Sequence, residues 1–364
     1  MKINSNEINR RSQVIQNIHF EFDKKIKNDF YTTSYFIKSY SILKNKFKNR
    51  ISTMQFIHFA DEPIMMCGAS EIKALLKFYL SKKQLRRTEL YVVEDGTIIK
   101  DKNTPLVIIK GYYPDFMKLE NIIDGILSKR CSVATNTMKV INNLLSHQEI
   151  IYMLDRNIDY FNQSYDAYPA FLAGIDLFVT QAQVELFKNE NVKVIGTMPH
   201  SLIQQYQNKL PTLISDFAQT HQSDNIFCLL DYENNVLKTL NQIKNSFNLL
   251  SGVRLDTSSK LIDFSLKNTK LHGVNFKLVD ITKKWLTENN FQDKKIIVTS
   301  GVNETFIKDI NSKTTNVDYF GIGSYFNSPS VHVSADLVQI DEHHEAKHGR
   351  KLLKNFNLLK KITL

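Results

Sequence analysis

The chain has 364 residues, of which 42% are hydrophobic and 23% charged, and it carries a net charge of +10. This balance is typical of a globular protein large enough for two domains, and no apolar run reaches the ~18 residues that span a bilayer, so we expect no membrane partner. The lysines are scattered rather than clustered and no nucleic-acid-binding motif is present, so we expect no nucleic-acid partner.

The start of the chain and its cysteines bear on where the protein works. The first six residues are polar and lead into no apolar signal core, so export is not expected. Cys67, Cys131 and Cys228 are few and far apart, which argues against a disulfide framework and against a cysteine-ligated zinc site. We therefore expect a cytoplasmic protein.

Residues 1–125, together with a return segment at 331–364, are predicted to form an α+β N-terminal domain. Apolar residues at helical spacing predict helical structure over 15–50 and 70–80, and the basic end of the chain predicts a terminal helix. Asp95-Gly96 is a hairpin signal between the first two of three candidate strands. These strands of a predicted antiparallel sheet are Leu90–Val93, Thr97–Ile99 and Leu106–Ile109.

Residues 126–330 show a different pattern, in which short apolar runs alternate with helical stretches. Such alternation is typical of parallel strands joined by helical crossovers. Seven candidate strands in roughly 200 residues favour an irregular, closed or nearly closed α/β barrel over an open sheet. The candidates are Ile150–Leu154, Leu177–Thr180, Val192–Ile195, Ile226–Leu230, Val253–Leu255, Ile296–Thr299 and Tyr319–Ile322.

Two of these strands lead into side chains that can carry chemistry, and barrel enzymes place their chemistry at the carboxyl ends of the strands. His200 ends a tight turn after Val192–Ile195, where an imidazole can act as a nucleophile or a general base. The alternative is a structural histidine that caps the turn. Arg254 and Asp256 occupy alternate positions of one strand and so face the same way; the alternative is a buried ion pair across the barrel.

Two further strands are followed by turns of small residues. Ser300-Gly301 follows one of them, and Gly321, Gly323 and Ser324 end the next. Glycine lets backbone N–H groups approach a phosphate closely, and the last loops of such barrels are a frequent phosphate site. We therefore expect phosphate binding at these two loops.

In this order, the motifs GTMPHS (196–201), GVRLD (252–256), SGVNE (300–304) and FGIGS (320–324) resemble those of the type II phosphoribosyltransferases, most closely the nicotinate phosphoribosyltransferases. The resemblance implies that nicotinate and phosphoribosyl pyrophosphate form nicotinate mononucleotide, the first step of NAD salvage, with ATP hydrolysed alongside. It implies Mg²⁺ bound with phosphoribosyl pyrophosphate and ATP, and no separate metal site. It also implies that ATP phosphorylates His200 and that Arg254 and Asp256 hold the ribose hydroxyls and the pyrophosphate.

The same resemblance extends to residues beside these motifs. Thr197 and Ser201 of the histidine turn would contact substrate. The segment TSSK (257–260) resembles a phosphate-binding loop of the family. Ser258, Ser259 and Lys260 can donate hydrogen bonds to a phosphate group.

An arginine for the nicotinate carboxylate is suggested by MLDR (153–156), which resembles the segment that supplies this group in the family. A planar guanidinium fits a carboxylate, so Arg156 is the candidate. Leu154 stands where the family usually has glycine, and Asn157 where a second basic residue is common.

The segment YFIKS (35–39) resembles one whose tyrosine stacks on the pyridine ring in a neighbouring subunit's site, so a homodimer or larger homo-oligomer is expected. Tyr35 as an ordinary core aromatic residue stays equally open. His344 and His348 have the spacing of a metal site, but AKHGR (346–350) resembles a turn of the family, which favours a solvated loop.

Three alternatives remain. A nicotinamide-specific enzyme remains an alternative because the choice between nicotinate and nicotinamide depends on only a few residues of the pocket. A quinolinate enzyme is disfavoured because such enzymes lack the histidine in this motif. Leu154 and Asn157, which depart from the family pattern, suggest a non-catalytic phosphate-binding homologue. The presence of Arg254, Asp256 and His200 argues against that alternative.

Overall fold

The computed structural model describes residues 5–47, 50–221 and 225–364. The α-helices in these ranges are α1 (Ser5–Gln16), α2 (Ser34–Leu43), α3 (Ala69–Tyr79), α4 (Lys82–Leu85), α5 (Tyr113–Phe116), α6 (Glu120–Ile141), α7 (Gln163–Leu172), α8 (Gln181–Val184), α9 (His200–Gln205), α10 (Leu210–Thr220), α11 (Val236–Ile243), α12 (Phe276–Glu288) and α13 (Glu304–Asn311). Short 3₁₀-helices span Lys24–Asn28, Met117–Leu119, Tyr160–Asn162, Glu185–Phe187, Lys244–Leu249, Phe264–Leu266 and Ser324–Asn327. Among the described residues, no helix combines the length and the apolar character needed to cross a membrane.

The strands belong to two large sheets and one small ribbon. They are β1 (Ser52–His58), β2 (Ile64–Met65), β3 (Glu89–Val93), β4 (Ile98–Ile99), β5 (Val107–Gly111), β6 (Glu149–Tyr152), β7 (Leu177–Phe178), β8 (Lys193–Val194), β9 (Phe227–Leu229), β10 (Gly252–Leu255), β11 (Lys295–Val298), β12 (Tyr319–Ile322), β13 (Val333–Ile340), β14 (His343–His344) and β15 (Leu359–Ile362). The ribbon consists of β2 and β4.

Seven strands form a curled parallel sheet, a half-barrel, in the order β8-β7-β6-β12-β11-β10-β9. All neighbours are parallel, so the seven strands predicted between residues 126 and 330 are confirmed, as is the α/β class. The described residues contain no backbone ladder between the edge strands β8 and β9. The half-barrel is therefore open between these two edges.

Both faces of the half-barrel are buried, which explains why its strands are nearly continuous apolar runs. In β11, Ile296 and Val298 pack in the large core shared with the surrounding helices. Ile297, between them, faces the inside of the curl, where it packs with Ile151, Leu177 and Phe227. This inner cluster forms the floor beneath the carboxyl ends of the strands.

The other large sheet is antiparallel, in the order β14-β13-β1-β5-β3-β15, and confirms the predicted antiparallel sheet. The helical structure predicted over 15–50 is wrong in part. The 3₁₀-helix Lys24–Asn28 ends at Asp29, which adopts a left-handed conformation with φ 61°, and a separate helix, α2, begins at Ser34. The strand β1, central in this sheet, was not predicted at all.

The predicted hairpin around Asp95-Gly96 is also wrong, because β3 pairs with β5 and β15 whereas β4 pairs with β2. The turn serves another purpose. The Asp95 carboxylate accepts hydrogen bonds from the backbone N–H groups of Gly68, Ala69 and Ser70 at 2.7, 2.9 and 3.0 Å. A carboxylate at a helix N-terminus satisfies free N–H groups and complements the helix dipole, so Asp95 caps α3.

The basic helix predicted near the C-terminus is wrong as well. The chain instead returns to the antiparallel sheet, where β13 pairs with β1 and β15 pairs with β3. The two lysines of β15, Lys360 and Lys361, are adjacent and exposed between Leu359 and Ile362, and Lys361 pairs with Glu89 across the strands at 2.9 Å. The pairing partners of this short strand are distant in the sequence, so its basic residues alone did not indicate a strand.

The two sheets are joined by α6, whose residues pack into both hydrophobic cores. Ile123 and Leu127 lie in the core of the antiparallel sheet, and Val133 and Met138 lie in the core of the half-barrel. A division of the chain near residue 125, with the return segment in the first domain, remains a proposal, since that residue lies inside α6.

Candidate active site

A cavity of about 360 Å³ opens at the carboxyl ends of the parallel strands. Its wall is built from the turns that follow six of the strands, so residues far apart in the sequence meet there. The sequence-predicted site residues among its lining are Arg156, Thr197, Arg254, Asp256, Ser300, Gly301, Gly321, Gly323 and Ser324.

Arg254 is held at the cavity by three side chains. Its Nε donates to the Thr299 hydroxyl at 2.9 Å, its Nη1 to the Thr197 hydroxyl at 2.9 Å, and its Nη2 to the Asp256 carboxylate at 2.8 Å. A guanidinium carries five N–H donors, so two stay available for a ligand. Arg254 and Asp256 thus form an ion pair, as in the alternative of a buried ion pair across the barrel. This pair, however, lines an open cavity.

His200 lies beside this pair as the first residue of α9. Its Nε2 is 3.1 Å from both carboxylate oxygens of Asp231, which follows the edge strand β9. The hydrogen bond to Asp231 raises the pKa of His200, against the opposing effect of partial burial. When the ring is neutral, this bond keeps its proton on Nε2 and leaves the lone pair on Nδ1.

These contacts cross the gap between the two edge strands. His200 and Thr197 follow β8, whereas Asp231 follows β9 and Arg254 lies on β10. Side chains therefore bridge the half-barrel at its carboxyl end, where no backbone ladder is described.

The cluster of His200, Asp231 and Asp256 has the composition of a cation site. One ligand atom from each of the three lies within 4.8 Å of the others. Carboxylate oxygens are the ligands that Mg²⁺ prefers. The carboxylates of Asp231 and Asp256 thus have the chemistry of ligands for a divalent cation such as Mg²⁺.

The two loops of small residues have backbones suited to phosphate. Ser300 and Gly301 are both left-handed, with φ of 74° and 71°, which turns the chain sharply after β11. At Gly321 a Cβ would lie 2.6 Å from the Thr299 methyl carbon, so glycine is needed there for close packing. Ser324 begins a 3₁₀-helix at the cavity wall.

Arg156 extends from the loop after β6 into the mouth of the cavity. Its side chain is 85% exposed, and its guanidinium lies 4.0 Å from the Asp155 carboxylate. Asn157, the next residue, also lines the cavity, and its backbone carbonyl accepts a hydrogen bond from the Asn327 side-chain amide at 2.8 Å. Arg156 is therefore placed to meet a ligand that enters the mouth.

The structure does not bring every predicted residue to this cavity. Within the described chain, Ser201, Ser258, Ser259 and Lys260 are exposed and lie outside its lining, and His200 lies beside the cavity, against Asp231, rather than in its lining. Tyr35 is on α2, and 57% of it is exposed, whereas its neighbour Phe36 is buried at 6%. The alternative of Tyr35 as a core aromatic residue is thus wrong; Phe36 fills that role.

Two residues of the site were not assigned from the sequence. Asp231 and Thr299 both come at the end of a buried strand, as Asp256 does. A polar side chain directly after an apolar run was therefore the signal for both, and only spatial proximity shows which groups they bind.

Comparisons with known proteins agree with this architecture. Residues 29–131 match the family described as quinolinate phosphoribosyl transferase, N-terminal domain. The structure superimposes on nicotinate-nucleotide pyrophosphorylase from Pyrococcus furiosus with a TM-score of 0.76 at 22% identity, covering 92% of this chain and 81% of that one. It superimposes on human nicotinic acid phosphoribosyltransferase with a TM-score of 0.65 at 13% identity, covering 88% and 76%. The chain therefore has the fold of these phosphoribosyl-transferring enzymes.

A more specific similarity is to nicotinate phosphoribosyltransferase of Bacillus subtilis (strain 168), which is 22% identical over 262 residues. The match covers 69% of this chain and 49% of the relative, so the chain spans about half of that protein's length. The resemblance predicted from the four motifs is confirmed by this similarity.

Proposed function

We propose that the protein is a nicotinate phosphoribosyltransferase. It joins nicotinate to phosphoribosyl pyrophosphate, releases pyrophosphate and forms nicotinate mononucleotide, with ATP hydrolysed alongside, as the first step of NAD salvage. One observation carries the proposal: the Arg254–Asp256 pair lines a cavity at the strand ends, and the His200–Asp231 pair lies beside it, with one ligand atom each of His200, Asp231 and Asp256 within 4.8 Å of one another. The unpaired, buried state of all three cysteines supports a cytoplasmic location.

Binding of phosphoribosyl pyrophosphate would use both kinds of group in the cavity. The two free donors of Arg254 bind ribose or pyrophosphate oxygens, and the backbone of the Ser300-Gly301 and Gly323-Ser324 loops binds the 5′-phosphate. Mg²⁺ held by Asp231 and Asp256 would neutralise the charge of the departing pyrophosphate. The nicotinate nitrogen then attacks C1 of the ribose as the bond to pyrophosphate breaks.

His200 supplies the link to ATP. With its proton on Nε2 and shared with Asp231, the ring presents the Nδ1 lone pair to the γ-phosphorus of ATP. The N–P bond forms as the bond to the ADP oxygen breaks. The Asp231 carboxylate stabilises the positive charge that the ring acquires, which suits a group phosphorylated reversibly.

A second copy of the chain is part of the proposal. Large apolar side chains are exposed on α2 and the turn before it: Phe30, Tyr31, Tyr35, Ile37 and Ile42. Tyr35 and Ile42 are seven residues apart and so share one face of α2, and exposed aromatic and aliphatic side chains are typical of interfaces. A homodimer or larger homo-oligomer in which Tyr35 completes the neighbour's site explains why Tyr35 is exposed here.

Arg156 is expected to make nicotinate the preferred base over nicotinamide. A charge-assisted hydrogen bond to the carboxylate contributes about 1.5–3 kcal/mol, so the preference in kcat/KM is expected to be at least about tenfold. Arg156→Lys keeps the charge but loses the planar fork, and we expect the preference to weaken. Steady-state rates with each base at saturating phosphoribosyl pyrophosphate measure this. Equal wild-type rates with the two bases would overturn the role of Arg156.

The proposal as a whole is tested with purified protein, Mg²⁺ and phosphoribosyl pyrophosphate, with and without ATP, and with labelled nicotinate, nicotinamide or quinolinate in parallel. Mononucleotide formation is expected to be fastest with nicotinate, and ATP is expected to raise its rate. Turnover of quinolinate with release of CO₂ would instead favour the quinolinate activity named by the matching N-terminal family. No turnover of any base would favour a non-catalytic phosphate-binding protein.

A further inference from the structure

Thr299 is the residue that ties Arg254 and Asp256 together. It follows β11 directly, and only 3% of it is exposed. Its hydroxyl lies 2.9 Å from Arg254 Nε, 2.7 Å from Asp256 Oδ1 and 3.2 Å from the Leu255 carbonyl oxygen. One buried hydroxyl therefore contacts both charged side chains of the cavity.

The direction of these hydrogen bonds follows from the chemistry of the groups. Arg254 Nε can only donate, so the Thr299 oxygen accepts from it, and its single proton is left for the nearest acceptor, Asp256 Oδ1. Arg254 Nη2 donates to the other carboxylate oxygen, Oδ2, at 2.8 Å. The three side chains thus form a closed ring of hydrogen bonds, which fixes the rotation of the carboxylate as well as its position.

Thr299 is itself fixed by the two neighbouring strands. Its backbone N–H donates to the Leu255 carbonyl of β10 at 2.9 Å. Its methyl group faces Gly321 of β12, where a Cβ would come within 2.6 Å of it. A β-branched side chain packed on one side and hydrogen-bonded on the other is held in one rotamer.

We propose that Thr299 is a positioning residue for the phosphoribosyl transfer, and this rests on the proposed function. It holds the Asp256 carboxylate and the Arg254 guanidinium in the one arrangement in which the carboxylate can meet Mg²⁺ and the free guanidinium donors can meet the substrate. It acts through these two residues and needs no contact with the substrate.

Three variants test this role. Thr299→Val keeps the shape and removes the hydroxyl, whereas Thr299→Ser keeps the hydroxyl. Thr282→Val is the matched control, because Thr282 is fully buried in α12 and its hydroxyl donates to the Leu278 carbonyl at 2.7 Å, away from the cavity. All three are compared with the wild type for melting temperature and for kcat and KM with each substrate.

Misplacement of reacting groups is costly, so we expect Thr299→Val to lower kcat/KM for phosphoribosyl pyrophosphate by about 10- to 100-fold. The KM for nicotinate is expected to stay close to the wild-type value. Thr299→Ser is expected to restore most of the activity. Thr282→Val is expected to lower the melting temperature about as much as Thr299→Val and to leave the kinetics unchanged. Equal impairment of Thr299→Val and Thr299→Ser, or of Thr299→Val and Thr282→Val, would overturn the proposal.

Crystal structures of the wild type and Thr299→Val test, without an activity assay, whether Thr299 positions Asp256 and Arg254. In the variant, the Asp256 carboxylate is expected to turn and to lose its contact with Arg254 Nη2. An unchanged ion pair would overturn the positioning role. If the carboxylate turns in the variant but the wild type forms no mononucleotide, the proposed function is wrong, whereas Thr299 still positions Asp256.

Discussion

The His200→Ala variant is expected to lose the coupling between ATP hydrolysis and mononucleotide formation while keeping its fold. Alanine removes the Nδ1 lone pair that the hydrogen bond to Asp231 leaves free and that would attack ATP in the proposed mechanism. Since acid–base or nucleophilic groups contribute at least about 10²-fold, coupled ATP hydrolysis is expected to fall by that factor or more. The ratio of ADP to mononucleotide formed, with circular dichroism as a check on folding, measures the loss.

His147→Ala is the matched control for this experiment. His147 is exposed, bonds the Thr315 carbonyl at 3.0 Å and precedes β6, so it lies at the opposite end of the strands. This variant is expected to couple ATP hydrolysis normally. Slow ATP-independent turnover by His200→Ala is compatible with the proposed mechanism, in which ATP would drive the glycosyl step without reacting in it. Acid-labile, base-stable label from γ-labelled ATP on another residue would rule His200 out.

The second large effect is expected in mixed oligomers. If Tyr35 of one subunit completes the site of its neighbour, Tyr35→Ala and His200→Ala chains each lack ATP-coupled mononucleotide formation when assayed alone. A heterodimer of the two contains one site with both residues intact. Random pairing makes about half of the dimers heterodimers, so activity is expected to rise to at most about a quarter of the wild-type value.

Subunit exchange in this experiment is followed independently, for example with two chains of different tag mass. Recovery of activity that tracks the heterodimer fraction is the expected outcome. Proven exchange without recovery, or full activity of a dilute wild-type monomer, would mean that Tyr35 takes no part in the neighbour's site.

The half-barrel could be predicted from the sequence because its strands are buried on both faces. Apolar runs such as Ile296–Val298 then stand out between helices, and the turn that follows each run lies at the carboxyl end of the sheet. The order of the motifs was sufficient to predict that Arg254, Asp256 and Gly301 share one cavity.

The antiparallel sheet was harder to predict because its signals are long-range. The strand β1 pairs with β13, whose residues are nearly 300 positions away in the sequence, and its own run of polar and apolar residues is short. Asp95-Gly96 has the local chemistry of a hairpin, but the carboxylate is used to cap α3 instead. Local propensity cannot distinguish a turn residue from a cap supplied to a distant helix.

The hydrogen bonds among the polar side chains of the site could likewise not be predicted from the sequence. Thr299 and Asp231 become site residues because of what they contact across strands, and neither contact follows from spacing. Conversely, Ser258 and Lys260 belong to a segment that resembles a phosphate loop but lie outside the cavity lining.

The most direct test of the account is mononucleotide formation by the wild type and by Asp256→Asn. Asparagine keeps the size of the side chain but removes the charge that pairs with Arg254 and fits Mg²⁺. With nicotinate, phosphoribosyl pyrophosphate, Mg²⁺ and ATP, the wild type is expected to form nicotinate mononucleotide, and Asp256→Asn to be slower by about 10²-fold or more. No product from the folded wild type, or an equal rate from Asp256→Asn, would contradict the account.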